Sequence, residues 1–160
     1  MQFTQSMSYP GTVDEVVAMY LTPDYLERRF GRFVVEGSTT VSVEGERVSY
    51  AGTVRPELVP AAAARFVKSD LRVTFTEEWT LNEAEATSRT SVTVDGAPVS
   101  VEATSTLTPS DAGSAREVSG NLSVRVPLLG GRIEKEAVAR VGRLTENEQA
   151  SAAQWLEEHR

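Results

Sequence analysis

The stretch that decides the fold is Val124–Leu144, VRVPLLGGRIEKEAVARVGRL. Its first residues alternate as a strand does, Pro127 ends that pattern, and Gly130-Gly131 leads into a helix. From there Ile133, Ala137, Val141 and Leu144 recur at spacings of three and four, an apolar stripe along one helix face. Glu134, Lys135, Glu136, Arg140 and Arg143 fall largely off it, and Glu136 with Arg140 makes a favourably oriented i, i+4 pair. Ala152, Trp155 and Leu156 resume the stripe. Between the two parts, Thr145-Glu146-Asn147-Glu148 is polar and matches a capping box, the signature of a new helix start. Glycine and proline are absent from 145 to 160, which favours one continuous helix whose middle turn faces something polar or wet. As a helix, residues 130–158 span roughly 40 Å, long enough to cross a whole curved sheet.

The sheet is legible upstream. LRVTFTEEWTL (71–81) places Leu71, Val73, Phe75, Glu77, Trp79 and Leu81 on one face and only polar residues on the other. Residues 33–43, 47–56, 86–94, 98–107 and 115–126 read as further strands, with turn signals at Glu44-Gly45-Glu46, Asp95-Gly96 and Asp111-Ala112-Gly113. Residues 2–8 form a first strand. Thr12-Val13-Asp14-Glu15 is a capping box for a short helix, and Thr22-Pro23 starts a second that stops at Gly31. Residues 57–67, ELVPAAAARFV, have no period of two and read as a loop with a short helical turn. The order is strand, two helices, six strands in hairpin sequence, long helix. Hairpin connections imply a mostly antiparallel sheet with one face to cover. The expected class is α+β, a seven-stranded curved sheet gripping the C-terminal helix in its concave face.

Length and composition bound the rest. The chain has 160 residues, enough for one domain over 1–160 with a real core. It lacks an apolar run of about 18 residues, so an integral membrane segment is not expected. The N-terminus has no secretory pattern and there are no cysteines, which together suggest a cytoplasmic setting. A net charge of −7 argues against nucleic acid as a default partner. The one histidine is His159, at the end of the chain, so histidine-based catalysis and metal binding have almost no material to work with. No metal and no cofactor are expected.

The stretches Tyr9–Tyr25, YPGTVDEVVAMYLTPDY, and Val126–Glu134, VPLLGGRIE, resemble the START-like superfamily, whose architecture is the helix-grip fold. With the strand TFTEEWTL the chain looks most like an actinobacterial START-like family of unknown function. The resemblance covers essentially the whole chain. It implies a hydrophobic or amphipathic small-molecule ligand, of lipid, quinone or polyketide type, held between the long helix and the sheet. It carries no catalytic residues over, because this fold hosts carriers, cyclases and partner-binding domains alike.

Candidate cavity residues follow from strand parity. Glu77 sits at the centre of an apolar face, where a carboxylate is costly unless paired or wetted. It is either a polar anchor or acid in a cavity, or a charge neutralised by an arginine. Arg116 shares parity with Val118, Leu122 and Val124 and is placed to meet Glu77 or a ligand's acid group; its position near a strand start favours solvent instead. Tyr50, Phe75 and Trp79 are inward aromatics and Phe66 stands in the 57–67 connection; plain core is the commoner role for such residues, a pocket lining the alternative. Val141 and Leu144 present the helix stripe to the cavity, and 57–67 is either a mouth or a packed connection. Three functions remain open: a non-catalytic carrier, a cyclase or dehydratase-like enzyme on the same scaffold, and a partner-binding module with a filled core.

Overall fold

In a computed structural model of the chain, β1 (Gln2–Tyr9) leads through Pro10-Gly11 into α1 (Val13–Tyr20) and α2 (Pro23–Phe30). Then come β2 (Thr40–Glu44), β3 (Arg47–Thr53), the four-residue helix α3 (Ala61–Ala64), β4 (Arg72–Leu81), β5 (Ala86–Asp95), β6 (Val99–Ser110), β7 (Gly113–Val124) and α4 (Gly130–Glu158). The structure describes every residue except Phe66, Lys68 and Ser69, so the candidate Phe66 lies outside the described residues. The strands make one curved sheet in the order β1-β7-β6-β5-β4-β3-β2, with every neighbouring pair antiparallel.

The local chemistry explains the boundaries. At the start of α1 the Glu15 amide donates to the Thr12 hydroxyl at 3.2 Å, and the Thr12 amide donates to the Glu15 carboxylate at 3.1 Å, a complete capping box. Pro23 occupies the first turn of α2, but the Thr22 hydroxyl donates back to the Ala18 carbonyl at 2.7 Å and makes no cap bond. The second strand starts at Thr40, later than the alternation from Phe33 suggests. Gly31–Phe33 form a 3₁₀ turn, and Ser38 donates to the Val35 carbonyl while accepting from the Thr53 amide at 3.0 Å. Those bonds occupy partners that a longer β2 would need.

Helix α4 runs unbroken through Thr145–Glu148. Its N-terminal end is pinned to the sheet where the Val124 amide donates to the Glu134 carboxylate at 2.9 Å. Gly130 permits the approach, since a Cβ there would collide with the Val124 carbonyl oxygen.

The core occupies only part of the concave face. Tyr9, Val16, Tyr20, Tyr25, Trp79, Leu107 and Trp155 belong to one cluster, which joins α1, α2 and the last turns of α4 to the sheet. A second, smaller cluster holds Leu26, Val34, Val48, Tyr50 and Phe75 under α2. Along α4 the apolar stripe is buried at Ile133 and again from Ala152 to Leu156. Between those ends Ala137 and Val141 are half-buried and Leu144 is 44% exposed. The middle of the helix therefore spans the sheet without being packed down onto it.

Candidate functional site

Strand alternation turns Glu77 of β4 and Arg116 of β7 into the same concave face, although β5 and β6 lie between their strands. They meet because the intervening inward positions are serines. Arg116 reaches across, donating from Nε to Ser105 Oγ at 3.0 Å and from Nη2 to Ser88 Oγ at 3.2 Å and Glu77 Oε2 at 2.7 Å. The carboxylate also accepts from the Trp79 indole N–H at 3.1 Å and the Thr90 hydroxyl at 2.8 Å. Both side chains are almost wholly buried, 1% and 3% exposed. Burial alone would raise the Glu77 pKa; Arg116, Arg29 and the Thr90 hydrogen bond overcome it and hold the carboxyl below its ordinary range.

A second ion pair lies above the first. Arg29 of α2 and Glu148 of α4 form an ion pair, Nε to Oε1 at 2.8 Å, and the Tyr20 hydroxyl donates to the same oxygen at 3.0 Å. Tyr9 and Tyr20 share a hydrogen bond of 2.7 Å. The Tyr20 ring joins the two layers: the guanidinium carbons of Arg116 and Arg29 lie 4.8 Å and 5.0 Å from its centroid. Burial pushes the Tyr20 phenol well above its usual pKa, with Glu148 adding to the effect. The polar turn at 145–148 thus faces inward through Glu148. Each arginine is matched by one glutamate, so the network is neutral overall. Two donors remain over: Nη1 of Arg29 and Nη1 of Arg116 are buried and have no acceptor among the described residues.

Two depressions follow one another under α4. The first, about 180 Å³, is polar at its floor, where Arg29, Glu77, Arg116 and Glu148 converge, and apolar at its walls, which include Val101, Val118, Val141 and Leu144. The second, about 260 Å³, lies one helix turn nearer the N-terminal end of α4, under Ile133 and Ala137. Val99 and Leu122 of the sheet and Leu58 and Ala63 of the 57–67 connection face it, and its described lining is apolar throughout. On the other side of the Arg29–Glu148 pair a third cleft of about 180 Å³ opens between α2 and α4, beside Arg32 and Asn147. Among the described residues no group of three or more His, Cys, Asp or Glu side chains is placed to hold a metal ion.

The sequence candidates separate in space. Glu77, Arg116, Val141 and Leu144 line the polar depression. Trp79 is core, stacked on Tyr20 with centroids 5.7 Å apart, and meets the site through its bond to Glu77 and through its ring, 4.9 Å from the Arg116 guanidinium carbon. Tyr50 and Phe75 belong to the second core cluster, and the Tyr50 hydroxyl donates outward to Glu27 at 3.2 Å. Arg29, Glu148, Ser88, Ser105 and Thr90 were not singled out from sequence. Ser88, Thr90 and Ser105 have inward parity but no distinctive chemistry. Arg29 stands in a polar helix where any charge looks solvated. Glu148 carried a faint signal, as the polar break in an apolar stripe.

The chain matches, over residues 4–156, the model of a family described as Protein of unknown function (DUF2505), and it belongs to that family. An uncharacterized protein of Mycobacterium tuberculosis is 27% identical over 166 residues, covering 96% of this chain and 95% of the relative. Among solved structures, a protein of Thermus thermophilus aligns with a TM-score of 0.64 at 16% identity, covering 99% of both chains. A conserved protein of Geobacillus kaustophilus aligns at 0.58 and 17% identity, covering 99% of this chain and 96% of its own. At such identities the likeness concerns the fold alone.

Proposed function

We propose that this member of the family binds a hydrophobic or amphipathic small molecule between the sheet and α4, in the manner of the START-like carriers it resembles, and catalyses no reaction on it. One observation carries this reading: the apolar stripe of α4 is left unpacked at mid-length, over an apolar cleft and a polar depression. Together their volumes fall in the range of ligand sites, roughly 300–1,000 Å³. An apolar wall with a few convergent polar groups is the usual composition of such sites.

The charged floor favours binding over chemistry. A general acid must hold a proton near neutral pH, and Glu77 is held the other way, as a carboxylate with its oxygens occupied. Tyr20 is likewise committed, donating to Glu148. A partner-binding module with a filled interior fits poorly with stripe positions Ala137 and Val141 that are only half-buried.

The test is native mass spectrometry of protein purified from its own cells, followed by organic extraction and identification of what is released. The expected result is a stoichiometric apolar molecule. An empty protein that also fails to bind a panel of apolar fluorescent probes would rule the reading out.

A further inference from the structure

Resting on that reading, the inference concerns the shape and length of the ligand's body. We infer that the apolar cleft takes a single unbranched alkyl chain with its polar end at the mouth, and that the Arg29–Glu148 pair ends the site and so sets the chain length at about nine carbons.

The first premise is the lining. Among the described residues the walls of the cleft are valine, leucine, isoleucine, alanine, proline and glycine, with no aromatic ring and no charged or hydrogen-bonding side chain. The rings of the concave face are gathered instead in the two packed clusters, Tyr20, Tyr25, Trp79 and Trp155 in one and Tyr50 and Phe75 in the other. A flat ring system gains from offset or edge contacts with other rings, and this lining offers none. Methyl-ended side chains present a surface that a flexible chain follows methylene by methylene, each buried methylene being worth about fourfold in affinity.

The second premise is direction. The lining is exposed at Leu58 and, beside the β5–β6 turn, at Gly96 and Pro98. A polar group finds no side-chain partner within the cleft, so it stays in water at that rim. In the other direction, two residues along β6 and one turn along α4, Val99 and Ala137 give way to Val101 and Val141 of the polar depression. The third premise is the stop. Glu77 and Arg116 are already sealed, but Arg29 and Glu148, which line the same depression, keep 13% and 18% of their side-chain surface. A methylene pressed against that remainder strips water from charges and returns no hydrogen bond, an unfavourable exchange. At roughly 30 Å³ per methylene, the share of one liquid water, the 260 Å³ of the cleft holds about nine carbons before the chain meets the pair.

Two homologous series are titrated calorimetrically against the unaltered protein: n-alkanols from hexanol to hexadecanol for a free chain, and the matching 1-monoacylglycerols for a chain borne on glycerol. A ring probe, 2-ethylnaphthalene, is measured beside them. Affinity is expected to rise about fourfold per methylene up to about nine carbons and then to level off or fall, at the same chain length in both series. The ring probe should bind more weakly than n-nonanol. Arg29→Met combined with Glu148→Met removes both charges together, and a buried ion pair replaced whole by apolar side chains is tolerated far better than one broken singly. The break should then move to longer chains, by up to about six carbons for the 180 Å³ of the depression. A rise that continues unbroken to the end of both series would overturn the stop while leaving the apolar carrier intact. A break that stays in place in a folded double variant would take the stop away from the ion pair. Tighter binding of the ring probe than of n-nonanol would overturn the alkyl chain. Binding of alkanols with exclusion of monoacylglycerols would overturn the placement of the polar end at the mouth. Failure of every probe to bind would overturn the carrier reading and this proposal with it. The break is read on the unaltered protein, so the test stands even if the double variant fails to fold.

Discussion

Glu77 and Arg116 are worth most to the fold as a pair, and each is a liability without the other. Removing one partner of a buried ion pair leaves a desolvated charge, which costs about 3–5 kcal/mol. Glu77→Gln is therefore expected to lower the unfolding free energy by about 3 kcal/mol or more near pH 7, seen as an earlier urea midpoint. The effect has a pH signature. The folded pKa of Glu77 lies below its ordinary value, whereas in the unfolded chain it titrates near about 4.3. Its stabilisation is thus complete above about pH 5 and is lost as pH falls through the folded value. Wild type and Glu77→Gln should converge in strongly acid urea titrations; a gap that stays constant from pH 7 to about pH 3 would show that the charge is not what matters. Strand parity puts both residues on the concave side, but the position of Arg116 near a strand start favours solvent. The structure instead buries it, to 2% exposure of the whole residue, because Glu77, Ser88 and Ser105 satisfy its charge and its Nε and Nη2 donors. Parity does not reveal that Ser88 and Ser105 clear the path between the pair, since a serine looks alike on either face. The pairing across two intervening strands became visible only with the register.

The long helix shows what periodicity does and does not encode. The apolar stripe, the glycines at its start and the absence of breakers after 145 were enough to lay out Gly130–Glu158 as one element. The polar turn at 145–148 was ambiguous, because the same residues form a capping box or an inward-facing polar turn. The structure resolves this through Glu148, whose partners Arg29 and Tyr20 sit on elements far away in sequence. Glycines along α4 carry equally different meanings. Gly130 lies against the Val124 carbonyl, whereas Gly142 is exposed with no atom within 4 Å of an added Cβ. Gly130→Ala should force the helix start off the sheet and cost about 1–3 kcal/mol, as overpacking does. Gly142→Ala should instead raise stability by up to about 1 kcal/mol, the helix-propensity difference. Thermal unfolding of the two variants side by side checks this; a loss at Gly142 equal to that at Gly130 would mean that α4 tolerates no change along its length.

Across the whole molecule, the interior is divided. One end of the concave face is filled by aromatic packing around Tyr20, Trp79 and Trp155, and the other is left open under Ile133 and Ala137. A protein that needed α4 only as a lid would gain by packing the stripe fully, since each buried methylene is worth about 0.8 kcal/mol. Leaving Ala137 small above an apolar cleft keeps space at the expense of stability, as expected where a ligand completes the core. Filling the cleft from within tests whether that space is kept for a ligand. Ala137→Phe places a ring where the ligand body is proposed to lie, so the variant should fold with a melting temperature at or above that of the wild type yet carry no co-purifying molecule. Wild type loaded with ligand at about 100 times its Kd should gain roughly 2.7 kcal/mol. The variant should gain nothing from the same addition. The two readouts protect each other: a lowered melting temperature would show that the cleft cannot accept a ring, and the same block is then built from the sheet side with Val99→Phe. Retention of ligand by a stably folded Ala137→Phe would place the binding site elsewhere than under α4.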